Sequence, residues 1–232
     1  MTLYWYGGTG NWSDYTNHWS LTLADRAANP ASAVPTSIDD VFIDSASGLS
    51  GGTITIPGFA YTAYANNFVS TTGFSYVITT EQNRLNVYGS LTLESGLTIT
   101  SIDNGHVRLQ SASAGNTITI NGATLNVAQF DIYGTGEWTL QDNLVTSGSI
   151  DHENGTFDAN DHNVTANDFY FYADTGYTPT VIMGSGTWEA TGGDWYVDEY
   201  SGEVLTVTPE TSTIKMSGGG NFYTSNKTYN NL

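Results

Sequence analysis

Trp138, Trp188 and Trp195 each stand beside an acid, respectively Glu137, Glu189 and Asp194. An indole face next to a carboxylate can hold a pyranose ring, with the apolar side stacked and the hydroxyls bonded. Where their strands turn these rings outward, the three are the expected ligand contacts, and a surface glycan is the expected ligand. Trp5, Trp12 and Trp19 repeat at seven-residue spacing. They offer either the same stacking chemistry or the packed interior of a terminal cap, each indole N–H bonded to a nearby carbonyl. The Gly, Asn and Asp between them favour packing.

Carboxylates are the other reactive groups. Asp39 and Asp40 form a pair, and glycoside hydrolysis uses paired carboxylates on either side of the scissile bond. Neighbours on an extended chain point to opposite faces, however, so these two cannot flank one bond. Their expected role is to bind backbone N–H groups in a turn of the cap. Residues 151–210 hold twelve acids and no Lys or Arg. Stacking such a segment crowds negative charge, which cations or salt would relieve. Calcium suits oxygen-rich, flexible sites, and Asp158, Asn160 and Asp161 are its expected ligands. The tract lacks the glycine and the distant glutamate of an EF-hand loop, so a merely solvated acidic surface stands as the alternative. No cofactor is required, and no catalytic residue is assigned. The four histidines are scattered, cysteine is absent, and no Gly-x-Ser-x-Gly elbow occurs.

The elements that must position these groups are short strands. Period-two alternation bounded by Gly, Asn or Ser recurs at Thr53-Ile54-Thr55-Ile56, His106-Val107-Arg108-Leu109, Glu137-Trp138-Thr139-Leu140 and Thr213-Ile214-Lys215-Met216, among others. The one helical stretch expected is 23–28, stopped by Pro30. Tyr-Gly pairs at 88/89 and 133/134 lie 45 residues apart, which suits two rungs of about 22 residues. The expected fold is all-β: a right-handed parallel β-solenoid over residues 45–232, with an aromatic-rich N-terminal cap over 1–44. A β-sandwich or jelly roll is the alternative. The last residues read as another turn and strand, so the final rung is expected to be covered by another domain or subunit.

Composition narrows the partners. Of 232 residues, 75 are Ser, Thr or Asn, and 5 Lys+Arg stand against 23 Asp+Glu for a net charge of −18. Such a chain cannot neutralise phosphates, so nucleic acid is not an expected partner, and anionic membrane surfaces repel it. Uronate lyase chemistry, which needs basic residues around the substrate carboxylate, is poorly served. The opening residues show no basic and apolar leader pattern, and no secretory signal is expected there.

The opening also carries a resemblance. Trp5-Tyr6-Gly7-Gly8-Thr9-Gly10-Asn11-Trp12-Ser13-Asp14, then Trp19-Ser20, then Val34-Pro35 through Asp39-Asp40-Val41-Phe42-Ile43-Asp44 resembles the N-terminal cap of β-solenoid proteins from bacteriophages and bacterial surfaces. More distantly, it looks like the G8 type of extracellular β module. The resemblance covers about the first 45 residues. It implies a structural or adhesive role in tail fibres, head fibres or particle decoration, located on a virion or otherwise at a cell surface, and it supplies no catalytic motif. The expected protein is a non-enzymatic virion component, homo-oligomeric with a trimer favoured. A polysaccharide-active enzyme or an adhesin module is the alternative.

Overall fold

The computed structural model describes residues 1–58, 61–200 and 202–232. The chain is a parallel β-solenoid of about eight turns, which sets aside the sandwich alternative. Each turn lays one short strand on each of three faces. The first such set is Asp40–Asp44, Thr53–Ile56 and Ala63–Ala65, and the second is Phe68–Thr71, Tyr76–Thr80 and Arg84–Val87. Alternation at period two sends every second side chain inward, so a rung buries its Ile, Val, Leu or Phe and exposes its Thr, Asn or Tyr. No helix among the described residues is long and apolar enough to cross a membrane.

The chain divides into two compact units. The first comprises Met1–Val107 and Ile120–Ala128, and the second comprises Arg108–Thr119 and Gln129–Leu232. In the first unit, inward residues stack in columns. Val41 pairs with Phe68 and Phe68 with Leu91 on the first face. Ile54, Ile78, Ile99 and Leu125 do the same on the second. In the second unit, Trp138, Phe157, Val181 and Val207 form the first-face column. Phe130, Ile150, Phe169, Trp195 and Phe222 form the third. Phe157 lies 19 residues after its partner Trp138, and Val207 lies 26 after Val181. The strands keep their length while the corners absorb the difference, which is why the repeat is irregular in the sequence.

The N-terminal segment adds to the first rung. Thr2–Trp5 runs parallel to Asp40–Asp44 and antiparallel to Trp19–Ser20, and Gly10–Asn11 pairs with Thr53–Ile56. These pairings occupy sheet edges that would otherwise template aggregation. Asp40–Asp44 is itself a rung strand in register with Phe68–Thr71, so the stack begins inside the 1–44 segment read as cap. Trp5, Trp12 and Trp19 are fully buried, with ring centroids 5.0 Å apart for Trp5–Trp19 and 4.8 Å for Trp12–Trp19. Trp5 Nε1 donates to Gly8 O at 2.9 Å, and Trp19 Nε1 donates to Trp12 O at 2.8 Å. Trp12 Nε1 departs from the expectation: it is buried and has no partner among the described residues.

Two local details differ from the sequence reading. The helical stretch over 23–28 shrinks to a 3-10 turn at Arg26–Ala28, fixed by the buried Arg26 guanidinium, which donates to Trp5 O at 2.7 Å and pairs with Asp44 at 2.5 Å. A four-residue helix also forms at Tyr15–His18, outside the expected stretch; the Asp14 side chain caps it by accepting from Asn17 N. It presents His18, whose ring stacks on Trp5 at 4.7 Å and 7°.

Candidate functional site: the outer third face of the second unit

Along the strand Phe169–Ala173 the sequence Phe-Tyr-Phe-Tyr-Ala alternates cleanly: Phe169, Phe171 and Ala173 are buried, and Tyr170 and Tyr172 face out, half-buried. The next strand, Trp195–Glu199, repeats the pattern with Trp195 and Val197 inside and Tyr196 outside. Register then stacks the outward residues. Tyr170 pairs with Tyr196 and Tyr196 with Tyr223, so three phenols from successive turns form one column. Centroids are 6.2 Å apart for Tyr170–Tyr196 and 5.5 Å for Tyr196–Tyr223, while Tyr170 and Tyr172 lie nearly parallel at 5.9 Å and 9°. Tyr223 is half exposed.

Carboxylates frame this aromatic strip. Tyr170 hydroxyl donates to Asp168 Oδ1 at 3.3 Å, and Tyr172 pairs in register with Asp198. Tyr170 and Tyr172 are held neutral. Partial burial first, and then the charges of Asp168, Asp194 and Asp151, raise the Tyr170 pKa; burial, Asp151 and neighbouring tyrosines push Tyr172 up to about 12. Below Tyr170 the same column continues as Asp151 and Asp131. These two are nearly enclosed, at 7% and 1% exposure, with Asp131 paired to Arg108 at 2.8 Å and Asp151 accepting from Gln129 Nε2 at 2.9 Å. Arg108 also lies over the Tyr133 ring at 4.4 Å.

The acidic tract is accommodated largely by backbone. Asp168 Oδ1 accepts from Asp194 N at 2.7 Å, and Asp194 Oδ1 accepts from Asn221 N at 2.7 Å, one rung further on. Each carboxylate at this corner therefore bonds the turn above it. Glu189 pairs with Lys215 at 2.8 Å and Glu199 with Lys227.

The residues expected to bind ligand lie elsewhere. Trp138, Trp188 and Trp195 have at most 1% exposure and fill the interior, because each occupies an inward position of its strand. The acids beside them are then the outward residues, and the indole–carboxylate pairing is broken by the pleat itself. The expected calcium ligands bond the chain around them. Asp158 Oδ1 accepts from Asn160 N at 2.8 Å, Asn160 Nδ2 donates to Leu140 O at 3.0 Å, and Asp161 Oδ1 accepts from Ser185 N at 2.8 Å. Among the described residues no group of three or more His, Asp or Glu side chains gathers as a metal site. Asp39 and Asp40 do turn work. Asp39 Oδ2 accepts from Thr36 N and Oγ1, bonds that with the terminal ammonium outweigh burial and hold its carboxyl below the usual range. Asp40 Oδ1 accepts from Asn66 and Asn67 of the next turn.

Tyr170, Tyr172, Tyr196 and Tyr223 do not stand out in a sequence whose tryptophans draw the eye to other positions. The signal was present as Phe169-Tyr170-Phe171-Tyr172, where strict alternation of an apolar ring with a hydroxylated one separates inside from outside. Comparisons with protein families, curated proteins and solved structures give no match for this chain.

Proposed function

We propose that the protein is a non-enzymatic structural and adhesive component of a bacteriophage particle, a fibre or decoration subunit, whose third face holds a surface glycan. The outward column Tyr170–Tyr196–Tyr223 carries this reading. Planar phenols on a rigid stack offer apolar platforms to sugar rings, and the acids around them supply hydroxyl acceptors. The same acids repel uronates and sialylated chains, so the ligand is a neutral glycan. The N-terminal resemblance supports the particle setting, and a trimer about a fibre axis is the assembly that suits it.

An enzymatic reading has a weaker footing. The register neighbours Asp131 and Asp151 would be the carboxylate pair, yet they are nearly enclosed and bound to Arg108 and Gln129.

The test is cosedimentation of the full chain with insoluble neutral polysaccharides such as cellulose, chitin and xylan. Binding that disappears in Tyr170→Ala/Tyr196→Ala while the fold is retained supports the adhesive role. Release of soluble sugar, or binding indifferent to both substitutions, counts against it. Light scattering with calcium and then chelator reads the assembly: a trimer supports the fibre subunit, and a monomer in both conditions removes the intrinsic trimer.

A further inference from the structure

The chain has five cationic side chains: Arg26, Arg84, Arg108, Lys215 and Lys227. Four end on carboxylates, Arg26 on Asp44, Arg108 on Asp131, Lys215 on Glu189 and Lys227 on Glu199. Among the described residues Arg84 alone has no such partner, and it is exposed. With carboxylates outnumbering cations more than fourfold, a guanidinium left open is a placed group rather than a statistical remainder.

Arg84 stands in an open bowl of about 410 Å³ in the first unit, where three successive corners between the second and third faces stack. Thr62 comes from the first corner, Gln82 and Asn83 from the next, and Asp103 and Asn104 from the third. The walls are tied together. Gln82 Nε2 donates to Asp103 Oδ2 at 2.7 Å, Asn83 Nδ2 donates to Pro57 O at 2.5 Å, and His106 N donates to Asn83 O at 2.9 Å. Gly105 packs so closely that a Cβ there would sit 1.9 Å from Thr80 O, which pins the third corner against the second.

We propose that this bowl binds a carboxylated sugar, a single hexuronate residue, with its carboxylate on the Arg84 guanidinium. A guanidinium presents a planar fork of N–H donors that matches a carboxylate in two parallel bonds. The remaining lining, an aspartate, side-chain amides, a hydroxyl and the His106 ring, offers donors and acceptors for the ring hydroxyls around that carboxylate. The volume is in the range of small-ligand pockets, which begin at about 300 Å³. A bowl lined by one guanidinium and one carboxylate does not suit dianionic phosphate or sulfate groups, whose second charge would go unpaired. The site lies in a different unit from the tyrosine column and stands on separate observations.

Titration of the full chain with D-glucuronate, followed by NMR line shifts or calorimetry, tests the site, with D-glucose and acetate as comparators. Saturable glucuronate binding is expected, weakened at least about tenfold in Arg84→Gln, since a charge-assisted pair is replaced by a neutral amide. Arg84→Lys keeps the charge and loses the fork, and is expected to fall between the two. Asp103→Asn tests the hydroxyl side: removing the neighbouring negative charge should raise affinity for acetate, while glucuronate, which also loses a hydroxyl acceptor, should gain less. The wild-type melting temperature is expected in Arg84→Gln, because Arg84 is exposed and bonds no carboxylate. The proposal is overturned if glucuronate does not saturate, if Arg84→Gln binds it as well as the wild type, or if acetate binds as tightly as glucuronate. None of these outcomes bears on the tyrosine column, whose ligand is uncharged.

Discussion

Tyr196 lies one turn above Tyr170 in the third face, the two Cα positions paired in a parallel ladder and the ring centroids 6.2 Å apart at 60°. Directly behind them, Trp195 and Phe169 are paired in the same register, with centroids 4.9 Å apart. One pair of strands thus carries two aromatic columns back to back, one sealed in the core and one open to solvent. The inner column fixes the backbone that spaces the outer one.

The outer pair is expected to contribute little to stability beyond its own contact. In a double-mutant cycle of Tyr170→Ala and Tyr196→Ala, the coupling energy should be about 0.5–1.5 kcal/mol, the usual worth of an aromatic pair. Denaturant unfolding of the four proteins measures it. A much larger coupling would mean that the phenols serve the fold, and the adhesive reading would lose its main support.

The inner residues behave differently. Trp188 is fully buried, packs on Phe157 at 5.8 Å and Phe169 at 5.5 Å, and donates its indole N–H to Met183 O at 3.0 Å. Trp188→Ala should destabilise by about 3–5 kcal/mol, the cost of emptying a large aromatic site. Trp188→Phe should lose less, keeping most of the packing but leaving the Met183 carbonyl unpaired. A surface ligand contact would instead show no change in melting and a change in binding.

How far the sequence foretold this arrangement depends on the pleat. Strands with strict alternation, such as Thr53–Ile56 and Glu137–Leu140, are read correctly to the residue. Trp195–Glu199, whose outward Tyr196 is itself aromatic, and Ser149–His152, whose inward His152 is polar, show no strict alternation of polar with apolar residues and are harder to bound from sequence. The same blindness misplaced the tryptophans. Trp138 and Glu137 look like a ligand pair in one dimension, but successive residues of a strand belong to opposite sides of the sheet. The partners of the acidic tract are hidden for another reason: the backbone N–H groups that Asp161, Asp168 and Asp194 accept from belong to the next turn, 24 to 27 residues away, and no local pattern shows them.

Glu94 gathers a whole corner of the first unit. Its Oε1 accepts from Ser70 Oγ at 2.7 Å and from Thr72 N and Oγ1 at 2.6 Å, and its Oε2 accepts from Gly73 N at 2.8 Å. Burial alone would raise its pKa, but these four donors hold the carboxyl below the usual glutamate range. A depressed acid stabilises the fold above its unfolded pKa, and this contribution disappears as the pH falls through the folded value. Glu94→Gln should therefore cost about 1–3 kcal/mol at neutral pH, because an amide turns one acceptor into a donor facing donors. The difference from the wild type should narrow in acid. A gap that stays constant from neutral pH down to pH 3 would exclude the ionised carboxylate as the source.

His152 gives a pH dependence of opposite chemical origin. It is fully buried between Phe157 and Phe171, with Nε2 bonded to the carbonyls of Asn154 and Gly155 at 3.0 and 3.2 Å. Those contacts assign the proton to Nε2, and Nδ1 has no partner among the described residues. Burial pushes its pKa down to about 4, against the smaller upward pull of the two carbonyls. The folded protein therefore keeps the ring neutral while the unfolded chain protonates it near pH 6.5. Between those values the unfolded state binds the extra proton, so stability falls as the pH drops from 6.5 towards 4, by about 3 kcal/mol in total. Below the lower value both states are charged and this contribution levels off. His152→Phe removes the proton site, and its loss of the Nε2–H donor shifts stability at every pH alike. Subtracting its stability profile from that of the wild type should leave this slope between pH 6.5 and 4. A flat difference would mean that His152 is protonated inside the fold, and that Nδ1 is not the bare acceptor the packing around it implies.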